Sequence, residues 1–350
     1  MKHTALSLLL LLSGLAACNG AQPRYVGRGR LDAGASDSDG GTPVSDAALR
    51  NRDSACGVAR ADALLVKRPL DIIIVIDNSG SMVSKIQAVE NNINQNFAQI
   101  IDKSGVDYRV IMLSRHGSAV GEVAICVKPP LSGNPTCDPP PPTPVNTSRF
   151  FQYSLRIQSN DALALILKTY NAPDPNGQSP SGWSGWLRPD ALKAFILITD
   201  DNSSMPADAF LARLRTLQPP SFGDINSVGG TVVHSIIGLG QNTPATTAWP
   251  PTAAMVSATC GNLAVNNGAV YQTLSRATGG LRFPICELAS YDAVFQAVAQ
   301  GVVDRVSCTL AIPEAPPGQK IDYSSLVVVH TPGSGARHLT GFGLTQGAWP

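Results

Sequence analysis

The sequence has little charge and no concentration of it. Only 15% of the residues are Asp, Glu, Lys or Arg, and the formal net charge is +1. Without a basic patch or stripe there is no electrostatic footprint for nucleic acid. The common catalytic signatures are missing too. No G-x-S-x-G elbow is present, and neither a P-loop nor a dinucleotide-binding glycine pattern occurs. The five histidines (His3, His116, His234, His330, His338) are scattered, and His234 falls inside an apolar run where a packed histidine is the ordinary expectation. No Cys-x-x-Cys pair occurs, and no histidine stands at zinc-ligand spacing from a cysteine. Beyond the N-terminus no apolar run is long enough to span a membrane, and no internal repeat is visible.

What the N-terminus does have is leucine. Lys2 precedes "LSLLLLLSGLAAC", an apolar stretch that is too short and wrongly flanked for a spanning helix but suits an export signal. Its end, "LAAC" (residues 15–18), resembles the lipobox of bacterial lipoproteins. The resemblance implies that residues 1–17 are a signal peptide, that Cys18 is lipidated, and that the chain resides in the cell envelope. With Asn19 rather than Asp after the cysteine, the outer membrane is the expected anchor, on its periplasmic or its exposed side. Residues 18–60, which include "GASDSDGGTPVSDAAL", lack any apolar period and read as a disordered tether.

The middle of the chain alternates strand and helix. "DIIIVI" is continuously apolar, as a strand covered on both faces should be. Ile86, Val89, Ile93, Phe97 and Ile100 then recur at helical spacing. "YRVIML" is a strand, and "FFQYSLRI" alternates like an edge strand. "DALALILKTY" is helical, and "AFILITDD" is a second buried strand. Phe210, Leu214 and Leu217 mark a helix, "TVVHSIIGL" a strand, and Val270, Leu274 and Ala277 a helix ended by Gly279 and Gly280. "LRFPI" is a short edge strand, and Tyr291, Val294, Phe295, Val298 and Val302 mark the last helix. This order predicts an α/β fold over residues 61–306: a doubly wound, mostly parallel six-stranded sheet with helices on both faces. Two insertions, at 116–148 and 171–187, interrupt it. Trp183 and Trp186 in the second are expected to pack the loop onto the domain. Residues 307–350 read as a short β-rich C-terminal appendage.

Cysteine usage fits export. Setting Cys18 aside, six of the seven cysteines remain, and an even number in an exported chain reads as disulfides. Positions among the expected elements suggest Cys126–Cys137 within one insertion, Cys260–Cys286 at one rim of the sheet, and Cys56–Cys308 at the opposite end.

Ligands of doubly wound sheets bind beyond the carboxyl ends of strands, where strand order reverses. Asp77 ends one central strand and Asp200 another. Ser79 and Ser81 add hydroxyls, giving an oxygen-only set of modest charge that suits Mg²⁺, with Mn²⁺ able to substitute. "DNSGSM" after "DIIIVI" closely resembles the Asp-x-Ser-x-Ser metal site of the von Willebrand factor A domain, and "FILITDD" and "LRFPIC" resemble two of its later strands. The resemblance spans roughly residues 67–306. It implies that Ser79 and Ser81 bind the metal, that Asp77 and Asp200 act directly or through water, and that one position stays open for an acidic group of a partner. A fifth contributor, a threonine in that family, has no clear counterpart. Ser159 is the candidate, with helix N-cap as its equal alternative. Ser179, Ser181 or Ser184 would substitute if Ser159 lay at the wrong end of the sheet. Asp201 stands where the family often has glycine.

Three functions compete. The leading expectation is not an enzyme but a lipid-anchored envelope module that binds a protein or peptide through an exposed acidic residue, with no nucleic acid and no membrane contact beyond the anchor. The others are an envelope scaffold with a vestigial metal site and, with least support, a metal-dependent hydrolase.

Overall fold

The computed structural model describes residues 24–28, 58–62, 68–223, 230–307, 327–330 and 337–339. Strands form at both chain ends and through the middle: β1 Arg24–Arg28, β2 Val58–Asp62, β3 Leu70–Ile76, β4 Tyr108–Leu113, β5 Phe150–Tyr153, β6 Leu192–Thr199, β7 Val232–Ile237, β8 Arg282–Pro284, β9 Val327–His330 and β10 Arg337–Leu339. They divide between two units, Lys67–Thr309 and the paired ends Met1–Val66 with Leu310–Pro350.

In the larger unit β3 to β8 form one open sheet in the order β5-β4-β3-β6-β7-β8, and every neighbouring pair is parallel. All seven residues of β3 and all eight of β6 are buried, so these strands need apolar cover on both faces. The helices supply it. Ile72, Ile74 and Ile76 pack toward Ile86, Val89, Phe97 and Phe295, whereas Ile73 and Val75 pack toward Leu163, Phe210 and Leu274. Segments 83–104 and 291–307 therefore cover one face, and helices Ala162–Thr169, Ala207–Arg215 and Ala269–Thr278 the other. Together the sheet and its helices make an α/β doubly wound fold.

Three local differences from the sequence pattern have physical causes. First, the helix after β3 passes through a π-helical stretch, Ile93–Ala98. The wider turn shifts the phase of the buried face, so Ile101 rather than Ile100 is fully buried. Second, helix Ala269–Thr278 buries Tyr271, Leu274 and Thr278 and leaves Ala277 exposed. Its buried polar groups are tied to the sheet: Thr278 Oγ1 accepts the Val233 N–H at 2.9 Å, and the Ser235 and Ser275 hydroxyls are 2.7 Å apart. Gly279, at φ 73°, ends this helix in the left-handed region. Third, β5 is an edge strand but stops at Tyr153 and runs parallel to β4, which carries the chain onward to the carboxyl rim of the sheet.

The second insertion packs through its aromatics. Trp183 is fully buried, donates to the Ile166 carbonyl at 3.2 Å and meets the Tyr170 ring edge-on, and Trp186 stacks on Phe151. Cys126 is bonded to Cys137 and Cys260 to Cys286, with Cα separations of 5.7 and 6.0 Å. Cys56, Cys308 and Cys18 lie outside the described residues. The smaller unit is an antiparallel sheet in the order β10-β9-β1-β2. Its strand β1 falls within residues 18–60, expected to be a disordered tether, and pairs directly with β9 of the expected C-terminal appendage. The stretch "RYVGR" carries no apolar period, so periodicity gave no sign of β1, whose partners β2 and β9 lie far along the chain.

At the amino ends of β3 and β6 a buried charge network ties the two strands. Asp71, fully buried, accepts the Arg188 N–H at 2.7 Å and Arg188 Nε at 2.9 Å, and Lys193 Nζ lies 3.4 Å away. Burial pushes the Lys193 ammonium below its usual pKa, and the Asp71 charge opposes this. Asp71→Asn would leave Lys193 without its countercharge. A destabilisation of about 3–5 kcal/mol is expected in urea unfolding; a loss below about 1 kcal/mol would show that the network contributes nothing specific.

Candidate metal centre

Strand order reverses at β3. From it the chain moves outward through β4 and β5 on one side, then returns to continue through β6, β7 and β8 on the other. The crevice beyond β3 and β6 is thus the switch point where ligands of such sheets bind. Ile76 lies opposite Ile198, and the Asp77 N–H still reaches the Ile198 carbonyl at 3.0 Å. Register alone therefore delivers Asp77, Thr199 and Asp200 to the same place.

The two carboxylates form a buried floor, with Asp77 1% and Asp200 0% exposed. Asp77 Oδ1 accepts the Ser79 N–H at 2.7 Å, and Oδ2 accepts the Thr199 hydroxyl at 2.8 Å. Burial raises the Asp77 pKa above the ordinary aspartate value. The hydrogen bonds from Ser79 and Thr199 pull it back, and the charge of Asp200 adds to the rise. The Ser79 and Ser81 hydroxyls are 3.4 Å apart, and Ser81 is exposed, so the site opens to solvent on that side. Asp200 is held by its backbone: its carbonyl accepts N–H groups from Val265 at 2.8 Å and Asn266 at 3.0 Å. Those residues follow Cys260, and the bond to Cys286 pins their loop to the end of β8.

Ser159 reaches the same rim. The Asn78 N–H donates to the Ile157 carbonyl at 2.8 Å, and the Ser204 N–H donates to the Asn160 carbonyl at 3.0 Å, so the turn holding Ser159 is fastened next to the loops that follow β3 and β6. The helix begins at Ala162 with Asp161 in the N-cap position, which leaves Ser159 outside the capping role. Ser179, Ser181 and Ser184 are not alternatives. Ser179 and Ser184 bond within their own insertion, and that insertion leads into Arg188 at the amino ends of the strands. Two of the histidines have structural partners: His234 Nδ1 accepts the Leu281 N–H at 3.1 Å, and His116 Nε2 bonds the Pro141 carbonyl.

Three neighbours went unnoticed in the sequence. Asn78, 1% exposed, accepts the Arg115 and Ile157 N–H groups and donates to Ser114, joining three loops at the site. Tyr271 has a buried hydroxyl beside Ser203, and burial, with the Asp77 charge second, drives its pKa upward so that it remains a protonated donor. Lys85 is buried and places its ammonium 3.0 Å from Asp200 Oδ2 and 2.7 Å from the Ser81 carbonyl. It stands four residues after Ser81, a spacing that surface lysines share, so the sequence carried no signal for it.

Among the described residues no three His, Cys, Asp or Glu side chains group to hold an ion. The donor set here is of another kind: two carboxylates, two hydroxyls and a neighbouring third. It fits a hard divalent cation on one structural observation, since Asp200 Oδ1 is buried and has no hydrogen-bond partner. No family model matches the chain, and no curated protein or solved structure matches it either.

Asp77→Asn keeps acceptors and donors for Ser79 and Thr199 while removing the desolvated charge. In the folded state the raised pKa means that Asp77 takes up a proton before it does in the unfolded chain. Metal-free protein should therefore gain stability from this group as pH falls through the raised value, levelling off below 3.8, the ordinary aspartate value. In chelator at neutral pH, Asp77→Asn should melt at or above wild type, and the difference should close with acidification. Added Mg²⁺ should raise the melting temperature of wild type alone. A variant that melts lower at neutral pH would contradict this account.

Proposed function

We propose that the chain is a cell-envelope binding module of the von Willebrand factor A type, anchored by lipid at Cys18. Asp77, Ser79, Ser81, Asp200 and Ser159 would hold Mg²⁺, or Mn²⁺ in its place, and capture an acidic group of a protein partner. One observation carries the reading: Asp77 and Asp200 end adjacent parallel strands at the switch point, with an unpartnered carboxylate oxygen on Asp200. A bound divalent ion would supply Lewis acidity toward one incoming oxygen. The chain's own residues do the rest. Thr199 and the Ser79 N–H orient Asp77, Val265 and Asn266 fix Asp200, and Ser81 marks the open side.

The scaffold reading, with a vestigial site, has a specific observation in its favour: Lys85 already gives Asp200 a cation. Metal dependence separates the two. Bait made from the full chain should retain an envelope protein in Mg²⁺, and both chelator and Asp77→Asn should release it, with no turnover of phosphate esters or peptides. Retention that survives both treatments would favour the scaffold; turnover lost in Asp77→Asn would favour the hydrolase.

The anchor is testable independently. The motif "LAAC" motivates the expectation that the chain, expressed in a Gram-negative host, partitions into detergent and that Cys18→Ser moves it to the aqueous phase. Unchanged membrane association of Cys18→Ser would remove the lipoprotein assignment.

A further inference from the structure

The site contains one cation of its own. Lys85 is 3% exposed on its side chain, and its ammonium is held from two directions, by Asp200 Oδ2 at 3.0 Å and by the Ser81 carbonyl at 2.7 Å. Asp200 is fully buried, and the pairing uses only one of its oxygens. Oδ1 has no partner. A lysine that merely neutralised a structural carboxylate would be expected alongside donors to both oxygens, because a buried acceptor left unpaired is costly. Asp71, at the other end of the sheet, meets that expectation, with donors on each oxygen. The Asp200 carboxylate is therefore divided, one oxygen given to Lys85 and the other left toward the site.

Resting on the metal-binding reading above, we propose that Lys85 is a fixed second cation of the site, which weakens the hold on a divalent ion by itself and makes the ion and an acidic ligand bind together. The charge balance gives the reason. Among the buried groups, Asp77 and Asp200 against Lys85 leave one net negative charge. A divalent ion turns this into one net positive charge, and an incoming carboxylate brings it to neutrality. Without Lys85 the two carboxylates would already neutralise the ion, and a ligand carboxylate would enter against no attraction beyond coordination itself. Asp161 and Asp201 also act on this region, both contributing to the raised pKa of Tyr271. They are only partly buried, and each has an oxygen occupied by a backbone N–H, from Gln158 and Asn202 respectively. Water screens them more than it screens Lys85.

The test uses the full chain in detergent, stripped with chelator, then titrated with Mn²⁺ while free Mn²⁺ is read by electron paramagnetic resonance. Titrations are run in acetate and in chloride at equal ionic strength. Lys85→Met should bind Mn²⁺ at least about ten-fold tighter than wild type, because a unit positive charge 3.0 Å from Asp200 is removed from a weakly screened place. Acetate should tighten Mn²⁺ binding to wild type and have little effect on Lys85→Met. Lys85→Arg, which keeps the charge, should behave as wild type. If Lys85→Met does not fold, Lys85→Gln serves with the same expectations. Equal or weaker Mn²⁺ binding by a folded, charge-removing variant would overturn the role of Lys85 and leave the metal site standing. Absence of Mn²⁺ binding in wild type and in every variant would overturn the metal-binding reading itself.

Discussion

The register between β3 and β6 is the constraint on which the rest depends. Seven residue pairs, from Leu70 opposite Leu192 to Ile76 opposite Ile198, lock the two strands side by side at the place where strand order reverses. A slip of one residue would exchange the faces of every side chain and send Ile73 and Val75 into the wrong core. The same slip would part Asp77 from Thr199. Two separate apolar clusters, one on each face, thereby hold a polar arrangement that neither contains.

The two ends of this strand pair carry opposite solutions to buried charge. At the amino end Asp71 meets Arg188 and Lys193, and both of its oxygens are bonded. That arrangement closes on itself and joins strands. At the carboxyl end Asp77 is bonded on both oxygens by light donors, an amide and a hydroxyl, whereas Asp200 is bonded on one oxygen only. A buried carboxylate oxygen without a donor is costly, and on the metal-binding reading proposed above a bound ion would offset that cost.

The loops around the crevice are themselves fastened. Asn78 bonds to residues after β4 and after β5, and the Cys260–Cys286 bridge secures the loop whose amides hold the Asp200 carbonyl. Groups that bind an ion or a charged ligand gain from being held before it arrives, because ordering them afterwards would subtract from affinity.

The sequence by itself determined the strands of the six-stranded sheet and most of their helical cover, since long apolar runs and helical spacing are properties of neighbouring residues. "DIIIVI", "YRVIML" and the Phe210–Leu214 face all follow from that spacing, as does the position of Asp77 at a strand end. The pairing of Cys126 with Cys137, and of Cys260 with Cys286, could be read from their places among the strands. Other features were decided only by tertiary structure. The π-helical phase shift from Ile100 to Ile101, the burial of Thr278 in place of Ala277, and the strand at Arg24–Arg28 depend on what lies across from each residue. So does the placement of Ser159 on the rim of the crevice, which required β5 to run parallel to β4. Lys85 is the clearest case. Nothing local distinguishes it from a surface lysine, and its partner is 115 residues away in the chain. Periodicity reports which face a residue occupies, but the partner of a buried charge is set by strand order, and strand order is a long-range property.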